Sequence, residues 1–333
     1  MCGKWLATGM AAVFAFAACG FAPAYDRPER DPAIVLAAFG TTDVEAVHSI
    51  LNIKERVEAA FPNYEVYIAF TSNIIRHIWH ERADDAGFRA KNKDIPDEIY
   101  GIGGILTTLA HAQEDGARLI LVQSLHVTDG EEYTDLASTV DSLANLKTMK
   151  RVRHPFPWIG VGEPALGLGD GQSGYLERAA AALAPLARKA WDSGAALVLM
   201  GHGNEHLNQN VFAKFTETLR EAYGPHVYLG TVEAAPLGED IVEEINAAEN
   251  APKKVLLAPL MVVAGDHTKN DMAGDGEDSW ASMFKEAGYE VDLFIQGLGS
   301  NDGWADIYVE HLKALEPKVA AQMKSEPEEE KGH

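Results

Sequence analysis

Three apolar runs occur in the same order in both halves of the chain, and this repetition limits the fold more than any other feature. Val35-Leu36-Ala37-Ala38-Phe39-Gly40 parallels Val198-Leu199-Met200-Gly201-His202-Gly203, Val66-Tyr67-Ile68-Ala69-Phe70-Thr71-Ser72 parallels Val227-Tyr228-Leu229-Gly230-Thr231-Val232-Glu233, and the run 118–130 parallels 254–266. The offsets, about 163, 161 and 136 residues, keep their order, as expected of a duplicated unit with a pseudo-twofold arrangement. Under this alignment Phe39 stands in place of His202, Ser72 of Glu233 and Glu131 of His267. Short β-branched runs alternate with helical stretches, the pattern of parallel α/β sheets. The expected strands are 33–39, 65–70, 118–125, 158–161, 195–200, 227–232, 255–263 and 291–295. Helices are expected at 45–60, 74–82, 105–114, 133–146, 174–193, 208–222, 241–248, 279–287 and 302–315. The fold class is therefore α/β, two similar three-layer domains with parallel sheets. One lobe spans 32–162 and the other 163–318, with an acidic tail at 319–333.

With 333 residues there is enough chain for two such cores. The balance is acidic, 50 Asp plus Glu against 28 Lys plus Arg, a formal charge of −22. That argues against a nucleic-acid surface, which needs clustered cations, and favours a raised local concentration of metal cations. Residues 1–24 read as an export signal: one lysine, an apolar stretch, then Ala22-Pro23-Ala24 as a small-residue cleavage site. A second reading is a lipoprotein signal with Cys19 lipidated, which would attach the protein to a membrane. Either reading places the mature protein outside the cytoplasm, in the periplasm, with 25–31 as a linker. The sole cysteines, Cys2 and Cys19, lie in this segment, so the folded body has neither disulfides nor cysteine metal ligands.

In open α/β sheets, ligands bind beyond the carboxyl ends of parallel strands. His202 follows the run 195–200, His267 follows 255–263, and Glu233 follows 227–232. Imidazole is a common ligand for borderline divalent metals and a carboxylate can complete the set. Two histidines and a glutamate leave coordination positions open, as a site that delivers or activates a metal requires. In the first half, Glu132 is read either as a proton acceptor facing a cleft or as an acid favoured at a helix start. His126 is either a core histidine or a ligand. Phe39, Thr41, Thr71 and Ser72 lie at strand-to-helix turns, where N–H groups and hydroxyls either bind anions or cap helices. His77, His80, His154, His206, His226 and the pair Glu310-His311 read as surface residues.

These segments resemble the anaerobic sirohydrochlorin cobaltochelatases of cobalamin synthesis, in the class II chelatase superfamily that includes ferrochelatase. The matching stretches are Ala38-Phe39-Gly40-Thr41, Ala69-Phe70-Thr71-Ser72, Gln123-Ser124-Leu125-His126, Met200-Gly201-His202-Gly203 and Thr231-Val232-Glu233. Most specific is Pro259-Leu260-Met261-Val262-Val263-Ala264-Gly265-Asp266-His267, continuing through Asn270-Asp271-Met272-Ala273-Gly274-Asp275 to Asp278-Ser279-Trp280. The resemblance implies two α/β lobes around an interdomain cleft and insertion of Co²⁺, with Fe²⁺ as a second metal, into sirohydrochlorin. By position it implies His202, His267 and Glu233 as metal ligands, His202, His267 and Glu132 as catalytic groups, and Phe39, Thr41, Thr71 and Ser72 against the substrate. It also suggests assembly into a homo-oligomer. Three features depart from the family: the export signal, an insertion at 82–98, and the Glu-rich tail. Export leaves a second reading, a periplasmic carrier of metal or tetrapyrrole, in which His126 would ligate haem.

Overall fold

All eight expected strands form, and all pair in parallel. In the computed structural model, which describes residues 32–150, 153–169, 171–172, 174–203 and 210–324, they build two four-stranded sheets. The export segment, Cys19, the linker, His206 and the end of the tail lie outside the described residues. The first sheet holds β1 (Ala33–Ala38), β2 (Glu65–Phe70), β3 (Leu119–Ser124) and β4 (Trp158–Gly162) in the order β2-β1-β3-β4. The second holds β5 (Ala196–Gly201), β6 (Val227–Thr231), β7 (Lys254–Pro259) and β8 (Glu290–Leu293) in the matching order β6-β5-β7-β8. Each repeat inferred from the sequence thus occupies the same place in its sheet. Ala33 pairs with Glu65 and Ile120 across β1, as Leu197 pairs with Val227 and Leu256 across β5.

Alternating side chains send each sheet into two cores. Ile34 and Leu36 of β1 face α1 (Val44–Ala60) and α12 (Asp302–Lys324), whereas Val35 and Ala37 face α5 (Ile105–Glu114) and α6 (Glu131–Ala144). In the second sheet Leu197 and Leu199 pack with α7 (Tyr175–Ala182), α8 (Ala184–Asp192) and α9 (Asn210–Tyr223). Val198 packs with α10 (Gly238–Ala247) and α11 (Trp280–Glu286). The core between the sheets is continuous, running from Ile34 through Leu199 to Val319, so the two lobes share one apolar interior.

The structure departs from the sequence reading in four places. The strand expected at 255–263 stops at Pro259, whose ring nitrogen has no proton for the ladder, and 260–266 turn away. The helix expected at 174–193 breaks at Leu183, with Pro185 in the first turn of α8. The insertion at 82–98 forms α3 (Ala86–Lys91) and leads into α4 (Asp97–Tyr100), which pack on the expected helix α2 (Asn73–Asp84) through edge contacts of Trp79 with Phe88 and Tyr100. The last helix runs to Lys324, through Pro317 and into the tail expected at 319–333.

Helix α12 closes the second half in sequence but packs on the first, against α1, β3 and β4. Arg56 of α1 grips Asp306 through two hydrogen bonds of 2.7 and 2.6 Å, Tyr64 donates to Glu316 at 2.6 Å, and Tyr308 donates to the carbonyl of His126 at 3.2 Å. His311, expected at the surface, is 3% exposed because α12 turns it inward. Its Nδ1 donates to the Glu163 carbonyl at 3.0 Å, its ring lies 4.5 Å from that of Tyr175, and its Nε2 is sealed off without a partner.

Burial pulls the His311 imidazole down to about 4, with Arg178 acting in the same direction and the Glu163 carbonyl and Glu310 opposing. An unfolded chain accepts this proton near pH 6.5, whereas the folded chain refuses it until about 4. The stabilisation from a neutral His311 is therefore intact above pH 6.5 and is lost as pH falls toward 4, on the order of 3 kcal/mol in all. His311→Leu is expected to flatten the pH dependence of stability across that window by about 1 kcal/mol or more, measured by urea unfolding at pH 7 and pH 4.5. Identical slopes in both proteins would contradict this assignment.

Candidate active site

Strand order decides which loops can meet. In each sheet the chain leaves the first strand for one neighbour and later returns to its other side, so a crevice opens beyond β1 and β3, and again beyond β5 and β7. These two crevices join into one cleft of about 520 Å³. Its walls come from Phe39, Gly40, Thr41 and Thr42 after β1, and from Leu125, His126, Thr128 and Glu132 after β3. Across from them stand His202 and Gly203 after β5, and Leu260, Val262, Asp266 and His267 after β7, with Phe212 of α9 alongside.

The two imidazoles expected to act together do meet. The rings of His202 and His267 lie 4.8 Å apart between centroids, at 87°. His202 Nδ1 is 2.9 Å from the carbonyl of Gly203 and 3.5 Å from a carboxylate oxygen of Glu233. His267 Nδ1 is 2.6 Å from Asp271 Oδ2. A ring nitrogen this close to a carbonyl or carboxylate carries the proton and donates it, which leaves Nε2 with the lone pair. Neither Nε2 has a hydrogen-bond partner among the described residues.

The turns holding Phe39 and His202 are matched copies. Gly40 and Gly203, each one residue after the cleft side chain of its lobe, adopt φ of +99° and +81°. A Cβ at Gly40 would come within 2.7 Å of the Phe70 ring, and one at Gly203 would overlap the Thr231 side chain. The left-handed backbone turns Phe39 and His202 into the cleft, and glycine is what permits it. Phe39 remains 49% exposed there, a broad apolar face open to a ligand. Behind Thr41 and Thr42 helix α2 acts as a buttress: Trp79 donates to the Thr41 carbonyl at 2.7 Å and Arg82 to that of Thr42 at 2.5 Å. Asp43, which caps α1, forms an ion pair with Lys269 of the other lobe and so ties the two walls together.

Other expected residues fall elsewhere. Glu233, Thr71 and Ser72 are not among the residues lining the cleft. They follow β6 and β2, the edge strands, whereas the crevices open beyond the central pairs. Ser72 caps α2 through Ile75 N, and the Thr71 hydroxyl is sealed without a partner. Glu233 stands off the cleft lining with its carboxylate 3.5 Å from His202 Nδ1; among the described residues no three His, Cys, Asp or Glu side chains are grouped to hold a metal. His126 does line the cleft, but its Nδ1 bonds to Ser124 Oγ at 2.8 Å and its Nε2 is closed off from solvent. It presents no open nitrogen to a haem iron. Burial holds its imidazole down at about 4, against the opposing pull of Glu132, so it is neutral near pH 7. Asp271 and Phe212 were not marked as site residues in the sequence; the spacing of four between His267 and Asp271 on a helical stretch is the signal that finds the first.

Two parallel α/β lobes meet at a cleft that holds the paired histidines, and both the fold and the family belong with the chelatases. The structure of SirB from Bacillus subtilis with Fe3+ superposes with a TM-score of 0.58 at 14% identity, covering 88% of this chain and 98% of that one, a likeness of fold. The family model "Cobalt chelatase (CbiK)" matches residues 32–316, and the chain belongs to this family. Sirohydrochlorin cobaltochelatase CbiKC of Nitratidesulfovibrio vulgaris is 31% identical over 295 residues, 88% of this chain and 93% of its own length. The sirohydrochlorin cobaltochelatase of Salmonella typhimurium is 28% identical over 283 residues, 84% and 94% of the two lengths.

The His202 turn can be tested without any metal. Gly203→Ala is expected to destabilise the protein by roughly 1–3 kcal/mol, the scale of a forced left-handed residue, read as a lowered urea midpoint. A midpoint equal to wild type would mean that the turn relaxes freely.

Proposed function

We propose that this protein inserts Co²⁺ into sirohydrochlorin within the cleft, releasing two protons. The pairing of His202 with His267 at the meeting point of two sheets carries this reading. Family membership and the names of the two relatives support it. In this mechanism the two Nε2 atoms hold the cation with most of its coordination sphere open to water and incoming ligand nitrogens. Phe39 and the apolar wall of Leu125, Leu260 and Val262 accept the face of the macrocycle. As two pyrrole nitrogens bind the metal, their protons leave: Glu132 on the opposite wall takes up one near the reacting nitrogens, and the other passes to solvent at the open cleft. Charge is conserved: two positive charges enter the ring and two leave as protons. Fe²⁺ satisfies the same donors, since nitrogen and oxygen ligands select among such metals weakly.

The N-terminal segment supports export, and on that reading the protein acts in the periplasm; the N-terminal mass of secreted material distinguishes cleavage after Ala24 from lipidation at Cys19. Export also motivates a second reading, a carrier that binds metal or tetrapyrrole without turnover. Purified protein mixed with sirohydrochlorin and excess Co²⁺ separates the two. Absorption changes amounting to many equivalents per protein support the enzyme, and a change that stops at one equivalent supports the carrier. His202→Ala and His267→Ala are each expected to lower the rate by roughly a hundredfold or more, and Glu132→Gln by about 10²-fold, the scale of losing a positioned proton acceptor. Near-wild-type rates in both histidine variants would remove the pair from the mechanism.

A further inference from the structure

The two histidines of the cleft are backed differently. His202 leans on a neutral carbonyl, Gly203 O, with the Glu233 carboxylate at 3.5 Å. His267 donates directly to a carboxylate, Asp271 Oδ2, at 2.6 Å.

Asp271 sits on a rigid element. After β7 the chain enters a π-helix, Thr268–Met272, with His267 at its N-cap. Thr268 and Met272 are fully buried, anchoring one face of this turn in the second lobe. Asn270 Nδ2 bonds back to Asp266 Oδ1 at 2.8 Å, a second link spanning four residues beside the His267–Asp271 bond. The Gly274 N–H closes on the Asn270 carbonyl at 3.0 Å, and Ser279 Oγ donates to the Gly274 carbonyl at 2.6 Å. The π-turn therefore aims both side chains through backbone that the surroundings hold in place, and such turns recur at functional sites. Both side chains stay partly open, His267 at 40% and Asp271 at 43% exposure, so the pair is not a buried structural link.

We propose that Asp271 is a positioning residue for cation capture: it holds the proton on His267 Nδ1, fixes the ring with Nε2 in the cleft, and strengthens that nitrogen as a donor to the incoming divalent metal. The proposal rests on the metal-holding role of the His202–His267 pair given above. A carboxylate behind a ligating imidazole sets its tautomer and raises its basicity, and loss of such a partner costs about 10–100-fold in metal affinity. The difference in backing also divides the labour of the pair. His267 is the stronger, loading ligand, and His202 is the weaker one, from which the ion is more readily passed on.

The test is a calorimetric titration of the full chain with Co²⁺ alone, without tetrapyrrole, for wild type, Asp271→Ala, Asp271→Asn, His267→Ala and His202→Ala. Asp271→Ala is expected to weaken Co²⁺ binding about 10–100-fold. Asp271→Asn, whose amide oxygen still accepts the Nδ1 proton, should lose less than Asp271→Ala while folding with the same shape. In turnover, kcat at fixed Co²⁺ should fall in Asp271→Ala while KM for sirohydrochlorin stays within about twofold, a split that a general loss of structure would not give. Wild-type Co²⁺ affinity in both Asp271 variants, with affinity lost in His267→Ala, would overturn the role of Asp271 and leave the histidine pair standing. Wild-type affinity in both histidine variants would overturn the metal site itself, and the proposal with it.

Discussion

The cleft depends on one constraint: two parallel sheets of identical strand order share a single apolar interior and are fastened by a helix that crosses between them. Because α12 belongs in sequence to the second half and packs on the first, neither lobe completes its core without the other. The Arg56–Asp306 and Tyr64–Glu316 bonds lie along that helix, and Tyr308 reaches the His126 carbonyl at the edge of the cleft itself. β5–β7 pairing in the second sheet brings His202 and His267 together on one wall, and the shared interior holds that wall opposite Phe39 and Glu132. A functional site made of residues on rigid elements keeps its geometry better than one carried on free loops.

Duplication left the two lobes alike in backbone and unlike in chemistry. The turns after β1 and β5 both end in a left-handed glycine, yet one presents the apolar face of Phe39 and the other the imidazole of His202. On the proposed function, the first lobe offers a surface for a flat organic ring and the second offers metal donors. Charge follows the same division of tasks. A net −22 favours cations near the protein, and the cleft walls contain Glu132 and Asp266 but no lysine or arginine among the described residues. An anionic tetrapyrrole has therefore to be held there through apolar contact, hydroxyls and backbone N–H groups rather than by ion pairs along the walls.

Much of this was legible before any coordinates. Short β-branched apolar runs locate all eight strands, and the repeated runs anticipate two like sheets, whose matching strand orders the structure supplies. The pairing of His202 with His267 was legible because both follow central strands. That Glu233, Thr71 and Ser72 lie off the cleft lining was not legible: a strand-end position reads the same in sequence whether its strand lies at the centre or the edge, and only the sheet order distinguishes them. His311 was misread because nothing local marks the inward face of α12, which is defined by a partner more than 140 residues away at Glu163. The π-helix was invisible to a 3.6-residue periodicity, although the spacing of four between His267 and Asp271 already hinted that the two face each other.

Diffraction from crystals soaked in Co²⁺, recorded at the cobalt absorption edge, tests the central claim most directly. The account predicts one strong anomalous peak in the cleft, about 2.1 Å from an imidazole nitrogen of each of His202 and His267, the usual distance for such bonds. A cobalt ion bound only to surface carboxylates, with the two rings unmoved and empty between them, would contradict it.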